Sequence, residues 1–219
     1  MGKARQADQL RSRLGEAARA ADAGERTLLL AAVLTDAFKA VGWQPVLVGG
    51  AAVEVYTRAA YMTADLDFVA PSGTATRRVM EALGFRREGR VWYEAELGIV
   101  VEIPSSTLAP ARATEIEVEG VAVAIIEIED LIVDRLAAWK YWRWHPDGVA
   151  AGLLLAIHGG RLDEVRLRYR CEEEDVVDAL ASVRRLLESR GRQQLDEGAM
   201  EAAHRDLRSA GRKTSSHED

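Results

Sequence analysis

Asp65 and Asp67 alternate within Thr63-Ala64-Asp65-Leu66-Asp67-Phe68-Val69, and residues two apart on a strand project from the same face. Two carboxylates so placed can grip one metal site. Carrying them into an apolar strand costs desolvation and mutual repulsion that a cation would offset; the other reading is a strand end facing solvent. Glu102 poses the same problem inside Ile99-Val100-Val101-Glu102-Ile103. Beside the Asp65 strand it would complete a three-carboxylate cluster, the hard-oxygen environment magnesium prefers when a substrate's phosphates add ligands. Taken alone, it also reads as an edge-strand acid facing water. Gly49-Gly50 follows the apolar run Pro45-Val46-Leu47-Val48. Paired glycines at a helix start let a ligand approach the backbone and offer it free N–H groups, a seat for phosphate, or they serve only as a tight strand-to-helix turn.

The elements that must position these residues are legible from periodicity. Asp8 to Gly42 reads as two helices broken near Gly24, Val46 to Val48 as a buried strand, and Ala51 to Ala59 as a helix. Leu66 to Val69 is a strand, Ala75 to Leu83 a helix, and Val91 to Glu94 and Ile99 to Ile103 are strands. Glu115 to Val118 pairs with Val121 to Ile126 across Glu119-Gly120. After Ile128 the spacing turns helical: Leu131, Ile132, Leu136, Trp139 and Lys140 follow the acidic start Glu129-Asp130. Ala150 to Ile157 and Glu173 to Glu188 are further helices. The predicted fold is α+β, a mixed sheet flanked by helices. Residues 1–43 are N-terminal helices, 44–128 the sheet core, 129–210 a helical region and 211–219 a disordered tail. No internal repeat is present.

Composition narrows the function classes. The chain has 219 residues, 48% of them hydrophobic, enough for an ordinary core. A net charge of −6 argues against coating nucleic acid by bulk electrostatics but leaves room for a local basic groove. The single cysteine, Cys171, excludes an intrachain disulfide framework and a cysteine zinc site, and fits a reducing compartment. The N-terminus lacks an export signal, and no run approaches the ~18 uninterrupted apolar residues of a membrane span. The expectation is a cytoplasmic protein with no membrane contact.

Taken together, a small-residue pair, a spacer, two alternating aspartates and a later third acid resemble the nucleotidyltransferase superfamily of DNA polymerase beta type. Val48-Gly49-Gly50-Ala51-Ala52, Tyr61-Met62-Thr63-Ala64-Asp65-Leu66-Asp67 and Glu129-Asp130-Leu131-Ile132-Val133-Asp134-Arg135-Leu136 look like its small prokaryotic branch. That branch includes abortive-infection-type nucleotidyltransferase toxins and uncharacterised relatives; the likeness runs from about Gln44 to Trp144. The resemblance implies that Asp65, Asp67 and Glu102 are catalytic and bind two magnesium ions. It also implies that Gly49, Gly50, Thr63 and Lys140 contact a nucleoside triphosphate such as ATP. The expected reaction moves a nucleoside monophosphate to a hydroxyl on an RNA end such as tRNA, a protein or a small molecule, in a toxin–antitoxin setting.

Two departures stand out. The third acid is glutamate rather than the commoner aspartate, and Tyr61 stands where the toxin branch often has arginine, with Arg58 one helical turn earlier. Lys140 also reads as an ordinary solvated helix lysine. Trp139, Tyr141, Trp142 and Trp144 read as packing more readily than as a base-stacking surface. The four histidines show no metal-ligand spacing. Metal-dependent glycosyltransferases and aspartyl phosphatases also use Asp-x-Asp. The first need a nucleoside-binding half before the acids, and the second a small hydroxyl residue after them, where this chain has Phe68-Val69. The rival from another class is a catalytically silent, antitoxin-like module that keeps the fold and binds a nucleotide or a protein, its C-terminal helices offering a face for a partner protein or a second copy.

Overall fold

The computed structural model describes residues 2–71 and 73–214. The chain forms two compact units, Met1–Glu127 and Ile128–Asp219. The first is α+β. Helices α1 (Gly2–Ala18) and α2 (Ala23–Lys39) precede strand β1 (Val46–Val48), which runs directly into α3 (Gly49–Thr57). Strand β2 (Asp65–Val69) leads to α4 (Thr74–Ala82), then β3 (Arg86–Glu88), β4 (Val91–Glu94), β5 (Ile99–Ser105), β6 (Ala113–Val118) and β7 (Val121–Ile126). The break between α1 and α2 falls at Arg19 to Asp22 rather than at Gly24. Asp22 explains the shift: its Oδ1 accepts the Glu25 N–H at 2.8 Å, so the new helix is capped before the glycine is reached.

The seven strands form one mixed sheet in the order β3-β4-β5-β2-β1-β7-β6. Strand β1 pairs antiparallel with β2 and parallel with β7, and β2 pairs parallel with β5. Because side chains alternate, one face presents Leu47, Leu66, Phe68, Trp92, Val101 and Ile125, each at most 5% exposed. Helix α2 packs on β7 and β6, and α3 on β1 and β2. The opposite face carries Asp65, Asp67, Val100, Glu102, Val91 and Tyr93, all half-buried. Strand β3 was not expected. Arg86-Arg87-Glu88 has no apolar alternation, and it is an edge strand exposed at every residue.

The second unit is helical: α5 (Ile128–Trp142), α6 (His145–His158), α7 (Glu164–Glu173), α8 (Val177–Arg190) and α9 (Glu197–Thr214). The single helix expected over Glu173 to Glu188 is divided at Glu174 to Val176, where Asp175 takes a left-handed φ of 52°. Helix α9 reaches four residues into the stretch expected to be a disordered tail, and residues 215–219 lie outside the described residues. Trp139 is fully buried, as packing requires, whereas Tyr141, Trp142 and Trp144 are 50%, 81% and 61% exposed. Asp130, 2% exposed, holds α7 to α5: Arg170 Nε donates to its Oδ1 at 2.7 Å, and Arg166 pairs with Oδ2. Among the described residues no helix is long and apolar enough to cross a membrane.

Candidate metal centre

Three strand positions build the site. Asp65 and Asp67 lie two apart on β2, and the parallel register places Asp67 directly beside Glu102 on β5. One carboxylate oxygen from each of Asp65, Asp67 and Glu102 falls within 4.8 Å of the others. The three carboxylates are close enough together that one metal ion could be held among them, and an all-oxygen donor set is the kind that hard divalent cations take. Among the described residues this is the only such cluster of acids, histidines or cysteine. His217 lies outside them. The acids expected from sequence to converge do converge.

The glycine pair is built against these acids. Gly49 has φ of +60°, and a Cβ there would stand 2.1 Å from Asp67 Oδ2, closer than any side chain tolerates. A Cβ on Gly50 would meet Thr63 Oγ1 at 2.9 Å. The start of α3 therefore lies against the β2 carboxylates because neither residue has a side chain. The Gly50 N–H donates to Asp67 Oδ2 at 3.1 Å. The helix start that was expected to face phosphate thus also faces the carboxylate.

Thr63, expected at the nucleotide, holds Asp65: its Oγ1 donates to Asp65 Oδ1 at 2.7 Å. Behind it stands a residue outside the sequence motifs. Glu54, 1% exposed on α3, accepts the Thr63 N–H on Oε2 and the Thr27 hydroxyl of α2 on Oε1, both at 3.0 Å. This buried carboxylate ties the loop before β2 to two helices and fixes the residue that orients Asp65. A signal for it existed, since Glu54 is an acid among Ala51, Ala52, Val53 and Val55. The β3–β4 turn adds a second overlooked residue, Arg90, whose Nε lies 3.8 Å from Glu102 Oε1.

Lys140 belongs to the helical unit, and its ammonium is engaged there. It donates to Asp178 Oδ1 at 2.9 Å, to Asp175 Oδ2 at 3.3 Å and to the Asp175 carbonyl. Burial lowers its pKa, but the hydrogen bond and charge of Asp178 and the hydrogen bond to Asp175 outweigh that, and the net shift is upward. A lysine so paired ties α5 to the turn between α7 and α8 and to the first turn of α8.

Comparison of the chain with protein-family models, with curated proteins and with solved structures gave no match.

Proposed function

We propose that this chain is a magnesium-dependent nucleotidyltransferase that moves a nucleoside monophosphate from a nucleoside triphosphate to a hydroxyl acceptor. The observation that supports it best is the three-acid cluster set against a strand-to-helix turn whose two glycines admit no side chain. Asp65, Asp67 and Glu102 would hold the metal. Bound there, magnesium would neutralise triphosphate charge and make the acceptor hydroxyl easier to deprotonate.

The chain's own residues supply the rest. Gly49 and Gly50 leave the backbone open to phosphate at the start of α3. Thr63 fixes one oxygen of Asp65, and Glu54 fixes Thr63. Glu102, 28% exposed, is the carboxylate assigned to receive the hydroxyl proton. Positioning and electrostatics account for most of the catalysis.

Asp65→Asn and Asp67→Asn should each abolish transfer of labelled nucleotide from a triphosphate while leaving the circular dichroism unchanged; transfer retained at the wild-type rate would sink the assignment. Calorimetry of the wild-type protein with magnesium and each triphosphate separates the enzyme from a silent protein-binding module of the same fold, which would release no heat, and the transfer assay separates it from a silent nucleotide-binding one.

A further inference from the structure

Helix α7 is turned partly inside out. Its inner side directs Arg166 and Arg170 to the buried Asp130, while Val165 and Tyr169 point outward, 83% and 56% exposed. Among the described residues no large apolar side chain is more exposed than Val165. Val177, 43% exposed at the start of α8, extends the apolar patch. These three residues line one hollow of about 710 Å³ between the two helices. Exposed apolar residues are ordinary when scattered singly; gathered around one hollow they mark a surface that another protein covers.

The charges around the patch decide what covers it. Glu164, Arg168, Glu172 and Arg184 rim the hollow, two of each sign. A strongly acidic or strongly basic partner would meet its own sign at half of these positions, whereas a copy of the same face need not. Turned about a two-fold axis that crosses α7 midway between Arg168 and Glu172, the helix lies antiparallel on its copy. Arg168 of each chain then faces Glu172 of the other. Tyr169, one residue from the axis, comes against its own copy, and Val165 extends toward Val177 of the second chain. Within one chain Arg168 Nε stands 3.1 Å from Glu172 Oε1, with side chains 78% and 55% exposed. A surface pair of that kind holds its members weakly, so both can turn to the second copy. Arg184 and Glu164, 2.7 Å apart, stay paired within each chain.

We infer that this face binds a second copy of the chain, α7 against α7, in a two-fold dimer. Helices α7 and α8, ten and 14 residues long, span only about 15 and 21 Å. The interface is therefore at the small end of specific interfaces, and a dissociation constant on the order of 10 µM follows. The dimer is built from the helical unit alone and does not depend on the transferase reading.

The test is sedimentation equilibrium of the full chain from about 1 µM to about 200 µM. The wild-type mass should rise from that of one chain toward that of two. Arg168→Glu and Glu172→Arg should each remain monomeric throughout, because each sets like charges against one another across the axis. An equimolar mixture of the two variants should associate about as tightly as wild type, since one chain then carries only acids at these two positions and the other only bases. Val165→Lys, at a position open to solvent, should weaken association at least about tenfold without lowering the melting temperature. A wild-type chain that stays monomeric would overturn the inference. So would charge variants that associate like wild type, or a mixture of them that does not associate. If circular dichroism shows either charge variant unfolded, Val165→Lys decides alone, and wild-type association in it overturns the dimer.

Discussion

A methyl group at Gly49 would have to occupy space held by the Asp67 carboxylate, at a backbone angle that L residues adopt at a cost. Gly49→Ala should therefore lower stability by on the order of 3 kcal/mol in urea titration, and it should weaken magnesium binding in calorimetry because Asp67 must move. Glu54 makes a different kind of demand. Glu54→Ala leaves the Thr63 N–H and the Thr27 hydroxyl without their acceptor, the first half-buried and the second buried. The expected loss is about 1–3 kcal/mol per orphaned group, with weaker magnesium binding as Thr63 is freed; wild-type metal affinity would contradict the positioning role. The two acids differ in legibility. Glu102 stands on an apolar strand, where alternation leaves few comfortable places for a charge. Glu54 stands on a helix, where an acid can face water at any position outside the apolar stripe, and only the packed fold shows that it does not.

Among the elements, those with apolar alternation were readable. Strands β1, β2, β4, β5 and β7 were predicted within a residue or two, and the pairing of β2 with β5 was anticipated because the third acid needed it. Strand β3 was missed, and helix α7 was read only as an undivided part of the helical region, for a common reason. Arg86-Arg87-Glu88 and Glu164 to Glu173 are mostly charged, and their places depend on neighbours supplied by the fold. Asp130 shows the limit from another side. It reads as an acid at a helix start, yet its partners, Arg166 and Arg170, come 36 and 40 residues later. Removing one member of a buried ion pair costs about 3–5 kcal/mol, so Asp130→Ala should lower the unfolding midpoint of the helical unit by that equivalent in urea. A change below about 1 kcal/mol would show that water replaces the carboxylate.

In the molecule as a whole, the acid cluster lies in the first compact unit, while the lone cysteine lies in the second. Cys171 is completely buried, and burial pushes its thiol pKa up to about 11. At neutral pH a buried thiol of that pKa has almost no thiolate to react. Iodoacetamide should leave the native protein unmodified, and labelling across a urea series should follow the loss of helical structure in the second unit. Rapid labelling without denaturant would mean that this unit opens locally.

The hydrogen bond between Thr27 and Glu54 has a consequence for how the chain is made. The anchor of the site spans residues contributed by α2, α3 and the loop before β2, so a shortened protein begun at β1 would strand a buried charge. Synthesis runs the other way and meets no such difficulty. Thr27, Glu54, Thr63 and the three acids have all left the ribosome before α9 is translated, and domains that emerge first tend to fold first. The acidic cluster can thus be assembled on a nascent chain whose later helices are still being added.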